Sequence, residues 1–167
     1  MGPIEKRALE ILNSLNDFTD MPASISGKYH YGETMKDHLT RVVEIIKDLC
    51  REFKVSEEAT DMLVAAGWLH DIGRYPITVS YKAHDLEHWE YFEKTGYSRL
   101  KGYMEKHPLY GSWMLNDDDK DIPRKKEIQR LIRIHMGHWY PEQLQPDTSN
   151  LFEVIICSAD YLASRCK

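Results

Sequence analysis

The chain lacks most of what thiol, phosphate-loop or membrane chemistry would need. Its three cysteines, Cys50, Cys157 and Cys166, are odd in number and show no CxxC spacing. That argues against a disulfide framework or a thiolate zinc site, and reduced thiols are expected. No apolar run approaches the length of a membrane span, and the stretch Met1 to Arg7 turns amphipathic without the apolar core of a signal peptide. A cytoplasmic protein with no membrane partner is therefore expected. Basic residues form no block and the net charge is -5, so there is no surface suited to releasing counterions from duplex nucleic acid. Also missing are a P-loop, a G-x-S-x-G elbow and a placed Cys-His pair, which leaves neither Walker-type nucleotide chemistry nor a covalent nucleophile.

What the chain does have is apolar residues at helical spacing over most of its 167 residues, without a convincing alternating strand. The fold class this predicts is all-α, in one domain spanning 1–167 with a core over about 31–165. A first helix opens at Pro3 and runs to about residue 15, packed on that core. After it, Asp17 to Gly32 reads as a loop rich in turn formers. The second helix covers about Thr34 to Phe53. Ser56 is an N-cap for the third, with Glu57 and Glu58 suited to the positive end of its dipole. That helix continues to His70, where Ile72-Gly73 stops it. Between Tyr75 and Lys106 an aromatic-rich insertion is expected, with one helix from Asp85 to Lys94 and another around Arg99 to Glu105. His107-Pro108 then begins a helix to Asn116, Pro123 starts the next, and the last occupies Asn150 to Arg165. Asp117, Asp118, Asp119 and Asp121 read as a solvated turn, since the spacing of a calcium loop is absent.

Chemistry enters with His70-Asp71 in Val64-Ala-Ala-Gly-Trp-Leu-His-Asp-Ile-Gly-Arg74. An imidazole beside a carboxylate at the end of an apolar helix can grip a divalent cation that accepts both nitrogen and oxygen. A dipeptide alone is weak evidence. His38, however, projects from the apolar side of its helix, as does His135, and Asp160 sits four residues after Ile156. A single buried histidine is more often a hydrogen-bonded core residue. Three ligand-type side chains on inward faces fit that bland reading poorly, and an inward Asp160 needs a cation or donors.

The ordered set His38, His70-Asp71 and Asp160 within Ser158-Ala-Asp-Tyr-Leu-Ala-Ser-Arg165 resembles the HD-domain metal-dependent phosphohydrolases, an all-helical superfamily, over roughly Tyr31 to Arg165. The resemblance implies a compact helical bundle and one cation held by His38, His70, Asp71 and Asp160. Two-metal members add a His, often before Pro, and a later His, which match His107 and His135, with Asp71 bridging. His138 is the alternative to His135. Arg74 stands where related HDIG-type sequences place a basic residue that contacts phosphate; a surface Arg at a helix end is the bland alternative. Arg165 has a weaker claim to the same role. His84 and His88 have the HxxxH spacing of a helical metal pair, but no third ligand completes a zinc-protease pattern, so a place on the substrate rim is expected. With His138 they are the candidates for protonating the leaving oxygen.

The expected function is thus metal-dependent hydrolysis of a phosphomonoester or phosphodiester in a nucleotide-like substrate, by attack of a metal-activated hydroxide, with Asp71, Arg74 and His138 at the reacting centre. The ligand set suits one or two ions of Mn, Fe, Co, Ni or Zn, with Mg also admissible. Met136-Gly-His-Trp-Tyr-Pro141 lacks the adjacent His-His and longer Gly-Tyr-Pro loop of cyclic dinucleotide phosphodiesterases, and Gly73-Arg74 replaces the acidic residue of bacterial 5′-deoxynucleotidases. The pattern is more similar to compact two-metal members, including dinucleoside polyphosphate hydrolases. Two other classes compete: a catalytically silent nucleotide- or metal-sensing module, and a helical scaffold whose histidines are structural. Exact substrate, metal identity and homo-oligomerisation stay open at this level.

Overall fold

The computed structural model describes residues 1–23, 32–76, 97–137 and 144–165. Among them are six α-helices: α1 (Pro3–Ser14), α2 (Met35–Glu52), α3 (Glu57–Leu69), α4 (Tyr97–Met114), α5 (Lys125–Ile134) and α6 (Leu151–Arg165). The only extended pairing among these residues is an isolated bridge between Pro22 and Thr34, so the all-α expectation holds.

The centre of the bundle is α3. From Met62 to Leu69 every residue except Trp68 is fully buried, and a helix apolar all round must be enclosed by others. Enclosure comes from α1, α2 and α5, with α6 packed on α2 and reaching α3. Each fully buried Leu or Ile here contributes roughly 1.5–3 kcal/mol, and Leu39, Ile46, Leu63, Leu69, Ile128 and Ile132 all belong to the same core. Since α3 runs through the middle, whatever follows Leu69 is delivered to the interior.

Local chemistry fixes the helix starts. Thr34 and Asp37 form a reciprocal capping box on α2, Thr34 Oγ1 accepting from the Asp37 amide and Asp37 Oδ2 from the Thr34 amide. Ser56 Oγ accepts from the Ala59 amide at 3.2 Å, as a cap of α3 should. The first turn of α1 is capped from outside its own sequence: the Asp61 carboxylate of α3 accepts from the Ile4 and Glu5 amides at 3.0 and 2.8 Å. At the start of α6, Asn150 Oδ1 accepts from the Phe152 and Glu153 amides.

Two boundaries differ from the sequence reading. His107-Pro108 does not open a helix; α4 begins at Tyr97 and carries Pro108 in its interior. Proline removes one i to i−4 bond there, and the helix persists because its following turn is packed against the segment Ile72–Arg74. The next helix starts at Lys125 instead of Pro123, because Arg124 takes a left-handed conformation (φ 57°) and pairs with Glu127 at 2.6 Å. The loop after α1 contains a 3-10 turn at Phe18–Asp20 that buries Phe18. Asp118–Lys120 is a short 3-10 turn with no buried residue, in keeping with a solvated turn. Cys50 and Cys157 are free thiols. The helix expected over Asp85 to Lys94 lies outside the described residues.

Candidate metal centre

Five helices and one turn bring His38, His70, Asp71, His107, His135 and Asp160 together. His38 comes from the inward stripe of α2. His70 is the residue on which α3 ends, His135 the residue on which α5 ends, and Asp71 begins the 3-10 turn Ile72–Arg74. His107 lies on α4 and Asp160 on α6. The four histidines and Asp71 are buried to 1% exposure or less, while the Asp160 side chain retains 14%, which marks the side on which the cluster opens.

Asp71 divides the cluster in two. Its Oδ2 lies 3.4 Å from His38 Nε2 and 3.3 Å from His70 Nε2, and Asp160 Oδ1 stands 3.2 and 3.4 Å from the same two nitrogens. Its Oδ1 lies 3.0 Å from His107 Nε2 and 3.5 Å from His135 Nε2, and those two nitrogens are 3.1 Å apart. Each carboxylate oxygen therefore serves its own pair of imidazoles.

The protonation pattern shows what this arrangement is short of. His70 Nδ1–H donates to the Gly67 carbonyl at 2.7 Å, and His135 Nδ1–H donates to the Ile132 carbonyl at 2.6 Å, each three residues back on its own helix. With Nδ1 carrying the proton, Nε2 of a neutral ring is a bare acceptor. In their neutral form these rings converge as acceptors on Asp71, whose two buried oxygens make no well-aligned hydrogen bond, so that without a cation a proton on His70 has to supply the positive charge. Buried acceptors facing acceptors are unfavourable unless positive charge lies among them. Donor atoms held about 2.1 Å from one cation lie about 3.0 Å apart at octahedral edges and about 3.4 Å apart at tetrahedral ones. The observed separations of 3.0–3.5 Å span that range. Three overlapping trios could hold an ion: His38, His70 and Asp71; His70, His135 and Asp160; and Asp71, His107 and His135. All donors are nitrogen or oxygen, a set compatible with a divalent cation.

Electrostatics separates the halves. Burial by itself would lower the proton affinity of His70, but ionised Asp71 and Asp160 outweigh it and push its pKa up to about 10. His38 is raised for the same reason, against its own burial. His107 moves the other way, to about 4, through burial and the positive Arg74 nearby. Despite burial, both carboxyls are held well below the usual range, Asp71 by Arg74 and His70, and Asp160 by His38 and His70. In the metal-free protein, then, the first half keeps a proton on His70 that a cation must displace, whereas His107 has none to lose at neutral pH. Cation uptake at pH 8 is expected to release protons, and affinity should rise with pH until about 10. Titrating Mn²⁺ into weakly buffered protein with a pH indicator checks this; uptake without acidification would show the assignment wrong. For the metal-free fold the sign is opposite. The His70 contribution to stability is complete below its unfolded value near 6.5 and is lost as pH rises through about 10.

Arg74 borders the second half. Its Nε lies 3.4 Å from Asp71 Oδ1 and its Nη1 donates to the Ala23 carbonyl at 2.8 Å. Arg165 is exposed on the last turn of α6, its guanidinium 5.3 Å from the centre of the Tyr161 ring. Five residues beyond Asp160, it is rotated about 140° around the helix, away from the cluster. His84, His88 and His138 lie outside the described residues. One position was overlooked in the sequence reading: Gly73. A Cβ there would fall 1.8 Å from the His107 carbonyl oxygen and 2.7 Å from the Gly111 amide nitrogen, so its lack of a side chain lets α4 lie directly on the turn. The readable signal was Gly111, four residues after His107 and on the same helical face.

The sequence profile of the HD domain matches residues 35–165, an interval that includes all six members of the cluster. The chain belongs to the HD domain family. Members of this family are generally metal-dependent hydrolases, which agrees with a cluster able to hold a divalent cation. No curated protein and no solved structure matches the chain. Among the described residues of this HD domain, no helix is long and apolar enough to cross a membrane.

Proposed function

We propose that this HD domain is a phosphohydrolase that cleaves a phosphomonoester or phosphodiester bond of a nucleotide-like substrate with the help of two divalent cations. The observation that carries the reading is the division of Asp71, one carboxylate oxygen toward His38 and His70 and the other toward His107 and His135. In this assignment His38, His70, Asp71 and Asp160 hold one ion, and Asp71, His107 and His135 the other. Cations there supply a lowered water pKa and charge compensation for phosphoryl oxygens. The chain's own residues do the rest. The two main-chain hydrogen bonds from His70 and His135 keep Nε2 of each ring available as donor to metal. Arg74 offers a fixed guanidinium to the phosphoryl group. The leaving oxygen takes its proton from one of His84, His88 or His138. Asp160, on the open side, leaves room for the substrate to approach.

The experiment is a metal count on protein purified without chelator, followed by a panel of nucleotides, cyclic nucleotides and dinucleoside polyphosphates with added Mn²⁺. Turnover of at least one class is expected. Separately, with saturating Mn²⁺ and inorganic phosphate present, His107→Ala and His135→Ala should each lower the metal count toward one per chain, while an unchanged count would remove those residues from the ligand set. Protein without metal and without turnover would defeat the enzyme reading. Metal-dependent nucleotide binding without hydrolysis would move the chain to the sensor class.

A further inference from the structure

The two halves of the centre are electrically unequal. Around Asp71 Oδ2 stand two imidazoles and a second carboxylate, Asp160 Oδ1, within 3.4 Å of both rings. Around Asp71 Oδ1 stand two imidazoles and a guanidinium, with Arg74 Nε at 3.4 Å. The imidazole pairs match, so the comparison reduces to a negative charge in one half against a positive charge in the other. Arg74 cannot shed its charge, because a guanidinium stays protonated at any working pH. Nor is it free to swing out: its side chain is only 16% exposed, and Nη1 is tied to the Ala23 carbonyl at 2.8 Å. Among the described residues its buried Nε has an ion-pair partner in Asp71 Oδ1 but makes no well-aligned hydrogen bond. A cation entering this half meets a fixed like charge where water screens poorly, while a cation entering the other half meets an extra carboxylate.

We propose that the centre loads its ions unequally: the His38–His70–Asp71–Asp160 half holds a divalent cation unaided, and the Asp71–His107–His135 half takes its cation together with a phosphoryl anion that offsets Arg74. The anion is a well-aligned acceptor for Nε and supplies oxygen donors to the second ion. By linkage, phosphate strengthens binding of the second cation by the same factor as that cation strengthens binding of phosphate. Before substrate arrives, the protein is a one-ion species. The substrate's own phosphoryl group completes the two-ion centre, which gives selectivity for phosphate-bearing ligands at the assembly step. This inference rests on the two-ion reading above.

The test is equilibrium dialysis of the full chain against Mn²⁺, with and without millimolar inorganic phosphate, read by bound metal and by the electron paramagnetic resonance signal of spin-coupled manganese. Without phosphate, one ion is expected to bind with the second weaker by on the order of 10- to 100-fold, and phosphate should recover most of that difference. Arg74→Met should strengthen the second ion in the absence of phosphate and erase the phosphate effect. Arg74→Lys, which keeps the charge, should preserve the inequality and guards against a poorly folded Arg74→Met protein. Equal affinities in the unmodified chain without phosphate would overturn the proposal, as would Arg74→Met and Arg74→Lys behaving alike. A chain that binds no Mn²⁺ under any condition would overturn the metal centre itself, an outcome distinct from two ions bound with equal strength.

Discussion

Asp71→Ala is expected to lower turnover by roughly 1,000-fold or more, the scale on which loss of a single essential group acts in an integrated site. It should also leave at most one weakly held ion. Among the described residues the carboxylate is the group that faces both imidazole pairs, so its removal takes a donor from each half at once. A second effect is on the fold itself. In the metal-free protein the Asp71 carboxylate is the buried counter-charge of His70 and Arg74, and removing one partner of a buried charge pair is destabilising. In chelator, Asp71→Ala should therefore unfold at a lower denaturant concentration than the unmodified chain. Added Mn²⁺ should stabilise only the unmodified chain, by about 2.7 kcal/mol at a hundredfold excess over its dissociation constant. Urea melts with and without Mn²⁺, alongside the metal count, decide the matter. A variant that keeps two ions or its turnover would remove Asp71 from the centre.

The second large effect is expected at Gly73. An added methyl would lie 1.8 Å from the His107 carbonyl oxygen and 2.7 Å from the Gly111 nitrogen, and both are backbone atoms of a helix that cannot yield by a rotamer change. Gly73→Ala should cost about 3 kcal/mol or more, at the upper end of overpacking effects, with α4 displaced from the turn. Because His107 rides on that turn of α4, the metal count in the presence of Mn²⁺ and phosphate should fall toward one even though no ligand was altered. Gly137→Ala is the informative contrast. Gly137 has φ 64° with none of the described residues near its absent side chain, so the left-handed backbone is what resists, at roughly 1–2 kcal/mol. Urea denaturation in chelator separates the two variants. A Gly73→Ala protein as stable as the parent, with its metal count intact, would show that α4 does not bear on the turn as described.

Periodicity served well where a helix has one wet face. The inward stripe of α2 places His38, and that of α5 leads to His135, because burial on one side is written at intervals of three and four residues. The central helix α3 was legible for a different reason: its cap at Ser56 and its unbroken apolar run mark both its ends and its enclosure. His70-Asp71 followed as the point where that run stops. What failed was the boundary at His107-Pro108. A proline rule that holds for isolated helices was outweighed by contact between α4 and the turn at Ile72–Arg74, a pairing of segments far apart in sequence that leaves no local periodic trace. The same reason hid Gly73, whose constraint comes from the backbone of α4. Arg165 was named for its proximity in sequence to Asp160, which carries no information about direction around the helix.

The rings of His70 and His135 are oriented by main-chain carbonyls, those of Gly67 and Ile132, and not by partner side chains. Many metal sites fix their imidazoles with a neighbouring carboxylate, which a single substitution can remove. Here no substitution of a neighbouring residue deletes the acceptor, since every amino acid brings the same carbonyl. For these two rings, orientation is inherited with the helix ends themselves. The side chains around the opening can accordingly diverge, and substrate preference with them, while the metal-facing nitrogens stay in place; the centre is robust to mutation where its supporting contacts are usually most exposed to it.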